Sequence, residues 1–372
     1  MAFWFALDLG GKRRFEQAKK DLVSLGVYES WEAFQSDQVR IPDEDNVLKH
    51  PVFATPDLHE KLLDGARKGL HRRDIFDPRV ALKGTPKETD RLEEAWEIVS
   101  SERTKSLNLY LELLEAFERG QIDLNPQPFD SPLYQVVDVS HLVDFMAYHS
   151  LIDFRENHVE RANQGLEALF VIARDMLEPR NFPGVTSVLE AFYAVDRASI
   201  IMGARATLGK IPKSSISQWR FLIADQRAIS RQVCLVEPTR WNTLFEASPE
   251  EAFSSKSYAP VGFYYGVMGI TLETYRLQIE RLDQNTGLVQ QSELVSPSDL
   301  ENQPTFWPFT EQQEMTQMLV SGKILEALLM GLSEFTIRFA LLEFHADHKR
   351  WPATLNELRP DYLGLPEKEF IA

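Results

Sequence analysis

Apolar side chains recur every three or four positions along most of this chain, and that spacing predicts helices rather than strands. Over residues 11–25, Phe15, Ala18, Leu22 and Leu25 share one helical face, and Gly26 follows where a left-handed residue would close the helix. Residues 28–56 read as irregular because Pro42, Pro51 and Pro56 interrupt regular structure. A short helix is expected over 57–69, closed by Gly69. A longer one is expected over 88–120, where Leu92, Trp96, Val99, Leu107, Tyr110, Leu113, Leu114 and Phe117 form a stripe that Gly120 stops.

Pro126, Pro128 and Pro132 mark residues 121–139 as a loop and the best boundary, so the expected division is 1–125, helical with irregular segments, and 126–372, the main bundle, unless the two form one continuous domain. Beyond it, Ser140 can cap a long helix over 140–177, with a kink placed near Gly165. Pro179 and Pro183 end it. A second helix is expected over 184–208, and a third from Ser214 or Ser215 to just before Pro238. Short connections between the three imply antiparallel neighbours. Residues 238–258 read as polar short elements. Helix resumes over 261–283, with Tyr264, Met268, Leu272, Tyr275 and Ile279 on one face, and residues 284–309 read as loop. The last long helix, 311–348, is apolar on most faces between Ile324 and Phe344, which predicts a central position. Thr354 and Glu357 have capping-box spacing, so a short helix should start there and stop near Pro360. Leu355, Leu358, Tyr362 and Leu363 can then fold back on the long helix as a clasp. The expected fold is an all-α bundle of long antiparallel helices with an irregular N-terminal region and a short C-terminal helical clasp.

Composition narrows the function classes. With 372 residues and 44% hydrophobic content the chain can bury a sizeable core. Its net charge of −16 argues against nucleic acid as a partner, because the mean field repels a polyanion. Cys234 is the single cysteine, so no intramolecular disulfide can form, and its apolar surroundings predict a small buried hydrophobe. The stub Ala2-Phe-Trp-Phe-Ala-Leu7 is too short to span a bilayer, and the basic residues Lys12, Arg13, Arg14, Lys19 and Lys20 follow it rather than precede it. It packs on the core, touches a membrane surface, or is the remnant of a longer apolar segment.

Few residues suggest chemistry. His345 and His348 share a helical face, with Glu343 and Asp347 nearby, and could ligate a metal. The spacing is not that of a zincin, and a solvated last helical turn explains the same residues. His141, His149 and His158 are too widely spaced for a compact ligand set. Phosphate-loop, nucleophile-elbow, dinucleotide-fingerprint and paired C-x-x-C patterns are all missing, so no cofactor is expected and no catalytic residue can be named. Phe306, Trp307 and Phe309 sit in a proline-bounded loop, where aromatics serve either the core or a partner contact.

The segment Phe339-Ala-Leu-Leu-Glu-Phe-His-Ala-Asp-His-Lys-Arg-Trp-Pro-Ala-Thr-Leu-Asn-Glu-Leu-Arg-Pro-Asp-Tyr-Leu363 resembles a bacterial pattern: a helix, a charged turn, an aromatic-Pro pair, Leu-x-x-Leu and a Pro-x-Tyr-Leu stop. It is similar to the region after the long helix of type II secretion major pseudopilins. It is also similar to the C-terminus of large, mostly helical, uncharacterised bacterial proteins that often carry an N-terminal membrane anchor. The second group matches further, through Ile41-Pro-Asp-Glu-Asp-Asn46, the helices over 140–235 and the helix over 260–283. Pseudopilins begin with a long apolar helix that this chain lacks. Members of the second group usually continue past the Leu-Pro-x-x-x-Phe stretch with a strand-forming tail. The resemblance implies a helical fold and an envelope location, and no activity. The resulting expectation is a non-catalytic interaction or scaffold protein of a bacterial envelope, with another protein as partner. The alternatives are an enzyme with a carboxylate or divalent-metal site, and a helical small-molecule-binding module.

Overall fold

The computed structural model describes residues 2–63, 103–124, 139–181, 185–207, 213–247, 261–285, 295, 322–358 and 361–363. Helices α1 (Ala2–Ser24) and α2 (Trp31–Asp37) precede α3 (103–117). There follow α4 (Val139–Arg155), α5 (Val159–Met176), α6 (Val185–Thr207) and α7 (Lys213–Ala224). Helices α8 (Gln226–Ala247), α9 (Val261–Gln284) and α10 (Gly322–His348) follow, and residues 58–63 are helical as well. Among the described residues β pairing amounts to one isolated parallel bridge, Asn46 to Gln121. The protein is an all-α bundle.

Helix ends follow local chemistry. Gly26, at φ 98°, closes α1 as expected: Gly26 N–H donates to Val23 O and Val27 N–H to Leu22 O. Asn157, at φ 65°, closes α4 in the same geometry, with Asn157 N–H on Phe154 O and His158 N–H on Asp153 O. This corrects the expected single helix over 140–177. The chain reverses at residues 156–158, where Asn can hold the left-handed conformation, and Gly165 lies inside α5. Gly165 serves a close approach: a Cβ there would sit 1.8 Å from Ser150 Oγ of α4. Contacts confirm the hairpin, since Asp153 meets Arg161 and Ser150 meets Gly165.

Two more boundaries differ from expectation. The expected third helix is two, α7 and α8, broken at Asp225, whose carboxylate accepts from Ala228 N–H at 2.9 Å and caps α8. Pro238 does not end α8, which continues to Ala247. Burial overrides the missing donor: Val236 and Phe245 are both fully buried on either side of Pro238. The region read as irregular contains α2, capped by Ser30 Oγ from Ala33 N–H and anchored by buried Trp31 and Phe34. The last helix is described from Gly322, and 311–321 lies outside the described residues.

Two apolar clusters organise the bundle. The larger joins α2–α7 with Phe335, Phe339 and Leu342 of α10. The smaller joins α1, α8 and α9 around Phe15, Leu22, Phe245, Leu272 and Ile279. There Gly269 admits the α1 backbone, because a Cβ would lie 3.0 Å from Phe15 N. Contacts cross the 125/126 boundary: α1 packs along α9, and Ile122 N–H donates to Asp175 on α5. The clasp forms as a 3-10 turn, Leu355–Leu358. Leu358, Tyr362 and Leu363 pack on Ala340 and Phe344, whereas Leu355 stays 51% exposed. Of the described helices, none is long and apolar enough to cross a membrane.

Candidate functional site

The densest polar constellation forms where the start of α3 meets the α4–α5 turn. Asp153, one turn before the end of α4, is fully buried. A buried carboxylate persists only if charge and hydrogen bonds replace its water. Two arginines do so here. Arg161, from the first turn of α5, donates Nε to Oδ2 at 2.8 Å and Nη2 to Oδ1 at 2.5 Å. Arg103, at the start of α3, donates Nη2 to the same carboxylate and Nη1 to Glu156. His158 Nδ1 lies 3.6 Å from Asp153 and 3.5 Å from Glu156, and 3.0 Å from Arg161 Nη2.

Behind this network lies a buried aromatic layer. His149 stacks on Tyr110 with ring centroids 4.5 Å apart and has Ser106 Oγ at 3.1 Å from Nε2. Its Nδ1 is buried without a hydrogen-bond partner. Burial, with Arg103 and Arg161 adding repulsion, pushes its pKa down to about 3, so the ring is neutral near neutral pH. Tyr110 OH reaches Ser150 Oγ and Arg161 O, both at 3.3 Å, and burial raises its pKa.

Chemically, Asp153, Glu156 and His158 are the one group among the described residues whose ligand atoms lie close enough to share a metal ion. Both carboxylates are already engaged by arginine, so a cation would have to displace Arg103 or Arg161. The arrangement as it stands is an ion-pair lock across three helices. Sequence reasoning set His141, His149 and His158 aside as too widely spaced for a ligand set and suited to surface or half-buried positions; the fold instead buries His149 behind this lock and leaves His158 at its exposed edge. It missed Arg103, Asp153 and Arg161, which nothing local in the sequence distinguishes from solvated charges.

The sequence-predicted residues fall elsewhere. His345 packs its ring on Trp351 at 4.4 Å, and His348 packs on Phe344 at 4.3 Å with Nε2 3.3 Å from Tyr362 OH. Tyr362 OH also donates to Asp347 at 2.8 Å, which ties the clasp to α10. Glu343 is buried and engaged by Arg220 and Ser217 of α7. Phe306, Trp307 and Phe309 lie outside the described residues. Cys234 is buried, with its pKa pushed up to about 12 by desolvation, as its apolar setting predicts.

No family model, curated protein or solved structure matches this chain.

Proposed function

We propose that this chain is a non-catalytic interaction scaffold of a bacterial cell envelope whose partner is another protein. One observation carries the scaffold reading. Four of the buried carboxylates, Asp123, Asp144, Asp153 and Asp175, are each bound by arginine: Arg40, Arg197, Arg103 with Arg161, and Arg174 with Arg180. Groups that an enzyme would keep for proton transfer are spent on holding segments in register. The envelope location rests on the resemblance of the Phe339–Leu363 segment. Phe306, Trp307 and Phe309 are the proposed partner contact, and the Ala2–Leu7 stub the proposed membrane contact.

The test is crosslinking in the source cells followed by mass spectrometry. A partner recovered in fixed stoichiometry with the wild-type chain, and lost from an F306A/W307A/F309A variant of unchanged circular dichroism, supports the reading. Recovery of the same partner by that variant removes the proposed contact, and a chain recovered alone removes the scaffold reading.

A second reading, an enzyme with a divalent metal, is favoured by the Asp153, Glu156 and His158 group. Titration calorimetry with zinc, manganese and magnesium decides it. No heat and no shift in melting temperature would sink it.

A further inference from the structure

Arg205 stands apart from every other buried arginine just described. It lies in the last turn of α6, only 2% exposed, where α4, α5 and α6 converge. Its Nη1 donates to Asn163 Oδ1 on α5 at 2.7 Å, and its guanidinium lies over the Phe154 ring of α4 at 4.0 Å. Its Nε is buried with no hydrogen-bond partner, as is that of Arg103; what sets Arg205 apart is its charge. Among the described residues no carboxylate pairs with it. Desolvation alone lowers its pKa to about 10, with no neighbouring charge contributing.

A buried cation without an anion is costly, and an isolated dry N–H adds to that cost. The carbonyl end of α6, in whose last turn Arg205 lies, offsets part of the charge, equivalent to roughly half an elementary charge. It supplies no acceptor to Nε. The Phe154 ring covers one face of the guanidinium and Asn163 takes one corner. What remains unengaged is the Nε–Nη2 edge, the two-pronged donor that matches a carboxylate.

We propose that Arg205 is the anchor of a binding site for a small monocarboxylate, seated on its Nε–Nη2 edge between the ends of α4, α5 and α6. The single uncompensated positive charge selects one negative charge rather than the two of a phosphate. Because Nε is closed to solvent, the ligand enters as the last turn of α6 yields, so association is slow compared with diffusion.

The experiment uses the full chain labelled with 15N-arginine, titrated with propionate at constant ionic strength, with phosphate as the control anion. The expected result is a saturable shift of one Nε resonance and a rise in melting temperature. R205M should lack that resonance and that rise, while melting in chloride no lower than the wild type, since it removes an uncompensated buried charge and keeps the volume. R205K should fold and lose most of the propionate response, because an ammonium lacks the two-pronged edge. The proposal is overturned if no Nε resonance responds saturably. A propionate response that persists in R205M, or in R205K at wild-type strength, overturns it too. A larger response to phosphate than to propionate overturns the monocarboxylate assignment. Should R205M fail to fold, the wild-type titration and R205K still decide.

Discussion

Asp153 and Arg205 are buried charges at the same end of the α4–α5–α6 unit, and they differ in company. Asp153 has two arginines, Arg161 through two nitrogens and Arg103 through one. Arg205 has one neutral amide and an aromatic ring. The first arrangement has its charges paired, although Arg103 Nε is a buried donor without a partner. The second leaves the charge itself unpaired. A buried charge is thus a structural element when its partners are internal, and an opening for a ligand when they are not.

The largest effect should come from breaking the compensated site. Asp153→Asn keeps the shape, strands Arg161 and leaves Arg103 with Glu156 alone, and should cost about 3–5 kcal/mol in denaturant unfolding. The comparison with R205M, which is expected to cost nothing, is the sharpest available. An Asp153→Asn loss below the range for an exposed pair, about 0–1 kcal/mol, would mean that the lock is not what holds the hairpin.

His149 reports on the same region through pH. Its folded pKa, about 3, lies below its ordinary 6.5, so between those values the unfolded chain binds the extra proton. Its contribution to stability is complete above pH 6.5 and is lost as pH falls toward 3. The loss should be on the order of 2 kcal/mol by pH 5. A His149→Phe variant should show a shallower slope in that window, and an unchanged slope would show that the ring is protonated inside the fold.

Packing at the hairpin is the next lever. Gly165→Ala places a Cβ against Ser150 and should cost about 1–3 kcal/mol as α4 and α5 separate. Pairing it with Ser150→Gly should recover part of that loss, because the Cβ would still lie 2.6 Å from Tyr110 Oη, and no recovery at all would locate the strain elsewhere.

The smallest effect is expected at the half-exposed pair between α6 and α10. Arg338 donates to Asp196 at 2.7 Å and to Glu334 at 2.7 Å, with both partners open to solvent. Arg338→Ala should change stability by about 0–1 kcal/mol, less at high salt. A loss as large as that of Asp153→Asn would erase the distinction between buried and screened pairs.

Much of this was legible before the fold. The apolar stripe through Phe15, Ala18 and Leu22 and the stop at Gly26 depend on neighbours within a turn or two, and they came out as read. The clasp was legible for the same reason: Leu358, Tyr362 and Leu363 follow the end of α10 closely and return to Ala340 and Phe344. The break at Asn157 was not, because Asn is merely tolerated in the left-handed region and competes there with an unbroken apolar run on either side. Pro238 was misread in the opposite sense, since a local rule for ending helices lost to the burial of Val236 and Phe245.

The candidate site was almost wholly illegible. Arg103 and Asp153 are fifty positions apart in a chain rich in both charges, and nothing local distinguishes them from solvated residues. Arg205 reads in the sequence as a favourable cation in the last turn of a helix. Only the convergence of three helices removes its water, and only the positions of all the carboxylates show that none meets it among the described residues. The sequence by itself determined the fold class, most helix faces and most helix ends, because those depend on periodicity and on backbone preferences within a few residues. The tertiary structure decided which charges are dry and which of those are paired, because desolvation and Coulomb energy depend on distances between segments that the sequence does not contain.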